Sequence, residues 1–307
     1  FLDELKRETF DKHEVVTVGE ANGVSADEAP LWASETKGKF NMLFQFEHLE
    51  LWDYENNMGF DPKAYKKVLA KWQYALENDG WNALFVENHD IPRVVSRWGN
   101  DKEYREQSAK AFALVYFMQK GTPFIYQGQE IGMTNAYFES IDKYRDVESL
   151  NYYDILTKEK PQNEVLGVLQ KKSRDNSRTP MQWDNSENAG FSVGTPWLGV
   201  CKKYKDINAE KALEDKNSVF YHYKNLVALR KEYEIIQNGS FEIVDMVNES
   251  LYVYRRKYKN QELLVICNFY GKEVAYDIDI EEYSLLNSNY SLMDKNIRPY
   301  EARVYIR

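Results

Sequence analysis

Three short apolar runs in this sequence end in residues that can do chemistry. The run at 15–18 (VVTV) leads into Gly19-Glu20, the run at 83–86 (ALFV) into Glu87-Asn88-His89-Asp90, and the run at 123–126 (PFIY) into Gln127-Gly128-Gln129-Glu130. Carboxyl groups converging from neighbouring strand ends suit glycosidic-bond cleavage. A retaining reaction uses two of them about 5–5.5 Å apart, one as acid/base and one as nucleophile. A third carboxylate beside the sugar binds hydroxyls and supports the oxocarbenium-like transition state. Spacing alone leaves other readings open: Glu20 also reads as a solvated loop residue, and His89-Asp90 as a capping pair.

Such convergence needs a scaffold of parallel strands. A fourth run at 41–46 (NMLFQF) completes a set that alternates with helical patterns at 62–76 and 104–119, the first capped by Asp61 with Pro62 at its first position. Short apolar strands alternating with helices imply an α/β fold with a parallel sheet. Residues 127–216 break the pattern and read as a long polar and aromatic excursion on the strand-end face, before helix resumes at 218–231. From Gly239 onward β-branched and aromatic alternation takes over: SFEIVDM, SLYVYRRKY, ELLVICNFY, EVAYDIDI and ARVYIR. The expected organisation is a catalytic α/β domain at 1–236 and an all-β domain at 237–307.

Four strands cannot close a (β/α)8 barrel, which needs eight strands and about 250 residues. The opening FLDELKRETFDKH has no initiator Met and reads as the later turns of a helix feeding a strand. The expectation is therefore half a barrel, with about four βα units preceding it.

Composition narrows the ligand class. A net charge of −9 disfavours nucleic acid and anionic membrane surfaces as partners, and 15% aromatic residues, 23 of them Tyr, suit stacking on sugar faces or a Tyr-rich core. No run of 18 apolar residues offers a membrane span. Cys201 and Cys267 are far apart without metal-ligand spacing and read as buried thiols in a reducing cytoplasm.

The local sequences resemble the α-amylase superfamily, glycoside hydrolase family 13. VVTVGEANG is similar to its fifth-strand motif, ALFVENHDIPRVVSRWGND to its seventh-strand motif, GTPFIYQGQEIGMTN to its eighth-strand segment, and KSRDNSRTPMQWDNSENAGFS to a signature of the oligo-1,6-glucosidase branch. Within that branch, GEANGVSADEAP, FNMLFQFEHLELW and ENHD look most like the glucan 1,6-α-glucosidase and oligo-1,6-glucosidase groups. The resemblance implies the second half of a TIM barrel, strands five to eight, followed by a small antiparallel β-sandwich domain. It implies Glu20 as general acid/base, Asp90 as transition-state stabiliser, His89 as a sugar-binding partner, and Arg174 as the ligand of the terminal glucose 4-hydroxyl. It implies removal of terminal α-1,6-linked glucose from isomalto-oligosaccharides or dextran with retention of configuration, and an α-glucan oligosaccharide as partner. No cofactor or metal is expected from these residues; any structural calcium site would lie in the other barrel half.

The nucleophile Asp of the family closes the fourth strand in a GFRxD-like motif, and no such motif occurs in the 307 residues. Asp27, Asp53 and Asp61 fall in connections. The chain alone is thus expected to be inactive, and its open barrel edges to associate with the other half or with another copy. Trehalose-6-phosphate hydrolysis, another α-glucosidase activity or a non-catalytic sugar-binding role are the alternatives. Sucrose isomerisation is disfavoured, because the segment ESIDKYRD holds only Lys143 and Arg145 where isomerases carry an arginine-rich loop. Trp72 and Trp81 read as core; Trp183 and Trp197 as sugar stacking or loop packing; His48 as a pocket neighbour or, more simply, a satisfied loop histidine.

Overall fold

The structure, a computed structural model, describes residues 1–51, 60–275, 277–291 and 295–307. Asp53 lies outside the described residues.

Helix α1 (Leu2–Glu8) leads to strand β1 (Val18–Glu20), α2 (Ala29–Ala33) and β2 (Met42–Phe44). Helix α3 (Pro62–Ala75), β3 (Ala83–Leu84), α4 (Val94–Arg97), α5 (Arg105–Phe117) and β4 (Thr122–Pro123) follow. The strands lie side by side in chain order: β1 pairs parallel with β2, Leu43 bridges Asn82 at the head of β3, and β3 pairs parallel with β4. This is the curved wall of a partial barrel, with helices outside. The ladders are shorter than the apolar runs. Strand β1 stays paired to its last residue, Glu20, whereas Val15 and Val16, ahead of it, are exposed.

Local chemistry explains the elements. The Asp61 carboxylate accepts from the Lys63 and Ala64 amides and caps α3, whose Val68 and Trp72 face pack under β2. Trp72 is buried and donates to Glu47 at 2.9 Å; the half-buried Trp81 donates to Thr122 Oγ1 at 2.8 Å. Helix α5 is buried on every side from Ser108 to Phe117, because it lies between the wall and the C-terminal sheet.

The excursion is more regular than its composition suggests. It carries α6 (Val147–Leu156), α7 (Gln162–Lys172), α8 (Asp175–Arg178) and α9 (Ala209–Glu214). Asp146 caps α6 by accepting from Ser149 N at 3.0 Å, and Asn208 caps α9 by accepting from Lys211 N at 2.9 Å. Trp183 and Trp197 stand exposed on this excursion.

Helices α10 (Val219–Glu232) and α11 (Glu234–Asn238) lead into β5 (Ser240–Ile243), β6 (Leu251–Tyr258), β7 (Gln261–Asn268), β8 (Ser284–Ser288) and β9 (Ala302–Ile306). These form one antiparallel sheet in the order β5-β6-β7-β9-β8. One face shares a continuous core with α5, α10 and α11. The opposite face is covered by Val274, Ile278, Ile280 and Ile297. Val274, Ile278 and Ile280 of the EVAYDIDI run thus belong to a covering layer, whose backbone pairing among the described residues is the Val274–Ile297 bridge. Cys201 and Cys267 are free and buried.

Candidate active site

Glu20 is the last residue of β1, and Gly19 before it is dictated by packing: a Cβ there would lie 2.7 Å from the Phe40 ring. Glu20 is exposed and lines a cleft of about 200 Å³ with Asn88, His89, Phe44, Phe46, Phe85, Phe124 and Tyr126. The aromatic floor is built by edge contacts, Phe44 standing 5.2 Å from Phe85 and 4.6 Å from Phe124.

The Glu87-Asn88-His89-Asp90 turn is held from beneath. Glu87 is buried, accepts from Val94 N at 2.7 Å and pairs with the buried Arg93 at 3.2 Å. Burial pushes the Glu87 carboxyl upward in pKa, against the pull of Arg93. Arg93 also donates to the carbonyls of Gln127 at 2.7 Å and Ser177 at 3.2 Å. It therefore ties the ends of β3 and β4 to α8. Gly128, at φ +84°, lets the chain turn against Met133, whose Sδ would be 2.2 Å from a Cβ. Glu130 lies in the turn at 129–131 and lines neither cleft described here; burial raises its pKa.

A second cleft of about 180 Å³ opens on the far side of the His89-Asp90 ridge, lined by Asp90, Asp146, Glu148, Ser149, Tyr152, Lys172, Ser173 and Arg174. His89 Nε2 sits 3.4 Å from Asp90 Oδ2. Arg174 Nη1 lies 3.5 Å from Asp90 Oδ1, its Nε 3.9 Å from Asp146 and its Nη2 against Glu148. Arg178, one helical turn on, makes the shorter approach to Asp90 at 2.6 Å. All four residues singled out in the sequence thus border two adjoining clefts. Sequence reading missed Arg178, Asp146, Glu148 and the Glu87–Arg93 pair. The four-residue spacing of the two arginines was the available signal.

The other expectations are sorted by position. Asp61 caps a helix and Asp27 is exposed in a turn, so neither stands at a strand end. His48 is fully buried against Phe85, with Nδ1 2.7 Å from Gln45 Nε2 and Nε2 without a hydrogen-bond partner among the described residues. It lies in the turn after β2 as a buried neighbour of the cleft-lining Phe85, with one ring nitrogen hydrogen-bonded. Among the described residues no helix is long and apolar enough to cross a membrane.

The family model described as alpha amylase, catalytic domain, matches residues 1–239. The chain is 46% identical to "Probable oligo-1,6-glucosidase 3" of Bacillus subtilis over 99% of its own length and 57% of that protein's. It is 42% identical to "Glucan 1,6-alpha-glucosidase" of Streptococcus pneumoniae over 94% of its length and 55% of that protein's. The crystal structure of Bacillus licheniformis trehalose-6-phosphate hydrolase superposes with a TM-score of 0.94 at 45% identity, covering 99% of this chain and 58% of that one. The chain thus spans 55–58% of the length of these relatives. With the strand-end carboxylates, the partial barrel and these matches together, the chain belongs to the alpha-amylase family, glycoside hydrolase family 13.

Proposed function

We propose that this chain supplies the acid/base portion of a retaining α-glucosidase that releases terminal α-1,6-linked glucose from isomalto-oligosaccharides. The observation that carries this reading is the disposition of Glu20, His89, Asp90 and Arg174 around two adjoining clefts at the strand-end face. In the reaction, Glu20 donates its proton to the glycosidic oxygen as a carboxylate from outside these 307 residues attacks the anomeric carbon. The carbon–oxygen bond breaks and a glucosyl-enzyme ester forms. Water, deprotonated by Glu20, then displaces the enzyme carboxylate, and the product keeps the α configuration. Asp90 stabilises the positive charge that develops on the ring, and Arg174 holds the terminal 4-hydroxyl, which restricts attack to chain ends.

Trehalose-6-phosphate hydrolysis is the second reading, favoured by the similarity to the Bacillus licheniformis hydrolase. Against it, the arginines at this cleft already face carboxylates: Arg174 lies against Asp90 and Glu148, and Arg178 against Asp90 and Asp146. Cations matched by carboxylates leave little positive field for a dianionic phosphate and suit a neutral sugar. A non-catalytic sugar-binding role is the third reading. We further propose a cytoplasmic location, consistent with the two free thiols, and a division into catalytic and all-β units near residue 237.

The test is hydrolysis of isomaltose and of trehalose 6-phosphate by the complete protein carrying this segment, with NMR reading the anomer released. Faster turnover of isomaltose and α-glucose as first product are expected. Preference for the phosphorylated disaccharide, or release of β-glucose, overturns the assignment, and no hydrolysis of either sugar favours the third reading.

A further inference from the structure

The two arginines of KSRDNSR divide the work at the His89-Asp90 ridge. Helix α8 is anchored on all sides. The buried Asp175 carboxylate accepts from the amides of Arg145 at 2.6 Å and Asp146 at 2.9 Å, Asn176 accepts from Ala136 N at 3.1 Å, and the Ser177 carbonyl accepts from Tyr126 Oη at 3.1 Å. From this base the Arg178 side chain reaches the ridge. Its Nε donates to the His89 carbonyl at 2.7 Å, its Nη2 donates to Asp90 Oδ1 at 2.6 Å, and its Nη1 lies 3.5 Å from Asp146. Arg174 meets the same Asp90 oxygen only at 3.5 Å and directs Nη2 to Glu148.

We propose that Arg178 is the positioning residue of the site: its flat guanidinium fixes the His89 peptide and the Asp90 carboxylate together, leaving Arg174 for the sugar. A planar fork can bridge a backbone carbonyl and a carboxylate at once, which a lysine ammonium on its flexible stem cannot do in the same geometry. Arg178 thereby acts through Asp90 and sets which oxygen faces the ring, while Oδ2 stays beside His89. This inference rests on the glucosidase reading above, because it assigns a role in that reaction.

The test is a double-mutant cycle in the complete protein: Arg178→Lys, Arg178→Gln, Asp90→Asn and the combinations, with kcat and KM on isomaltose and thermal melting for each. Misplacement of Asp90 should lower kcat about 10²-fold in both Arg178 variants, with KM nearly unchanged. In the Asp90→Asn background the same Arg178 changes should cost nothing further, because the group through which Arg178 acts is already disabled. A purely structural role would instead lower the melting temperature and multiply with Asp90→Asn. Arg178→Lys keeps the charge near Asp90 and carries the test if Arg178→Gln does not fold. Wild-type kcat in Arg178→Lys, a loss confined to KM, or multiplicative losses overturn the inference while leaving the glucosidase reading intact. A wild-type protein that hydrolyses no α-glucoside overturns that reading, and this inference with it.

Discussion

Asp90 Oδ1 accepts from Arg178 and lies 3.5 Å from Arg174 while Oδ2 faces His89, so its neighbours can be separated by substitution. In the proposed reaction Asp90→Asn removes the negative charge facing the developing cation and should lower kcat about 10²–10³-fold on isomaltose, measured in the complete protein. In the same proposal Arg174→Ala removes a charged hydrogen bond to a terminal hydroxyl, worth about 1.5–3 kcal/mol, or roughly 10–100-fold in kcat/KM. An unchanged kcat/KM would reject that role. Glu20 and His89-Asp90 were legible in the sequence because each lies in a local motif at a strand end. Arg178 was not: it contacts Asp90 across 88 residues of chain, a distance that only the fold closes.

At the scale of elements, α3 joins the barrel wall to the C-terminal sheet. Lys66 on α3 is fully buried, and its ammonium donates to the carbonyls of Asp245 at 2.8 Å, Leu251 at 3.2 Å and Asn248. Burial lowers its pKa, with Asp245 opposing. Lys66→Ala leaves those carbonyls without their donor and should destabilise the protein by about 3 kcal/mol, read as a shift in urea midpoint. A change below about 0.5 kcal/mol, the usual size at unimportant surface sites, would contradict the staple role. The cap on α3 and the αβ alternation were readable from Asp61-Pro62 and the apolar periods. Helices α6 and α7 were not: α6 buries Ser149 while its Val147 and Ile155 stand exposed, so its apolar residues mark no core face. The EVAYDIDI run alternates like a strand, yet its Val274, Ile278 and Ile280 pack as a cover on the sheet face.

At the scale of the whole molecule, burial pushes His48 and His222 down to about 3, with Arg97 adding to the effect on His48 and Lys110 on His222. The unfolded chain binds those protons near pH 6.5, whereas the folded chain does not. Stability from these groups is therefore complete above about pH 6.5 and falls as the pH drops toward 3. For the fully buried His48 the slope approaches about 1.4 kcal/mol per pH unit. Glu87, raised by burial, works in the opposite direction, so comparison with His48→Gln isolates the histidine. Chemical denaturation between pH 7 and 5 should show a shallower pH dependence in that variant; parallel curves would refute the role.

The assignment of Glu20 as acid/base is tested most directly by Glu20→Ala in the complete protein, assayed on isomaltose and on a 2,4-dinitrophenyl α-glucoside with and without azide. Loss of isomaltose hydrolysis by several orders of magnitude is expected, because its leaving group needs the proton. The activated substrate, which needs none, should still form the glucosyl-enzyme, and azide should then displace the enzyme carboxylate to give α-glucosyl azide. Near-normal turnover of isomaltose by this variant, or β-glucosyl azide as the product, would contradict the assignment.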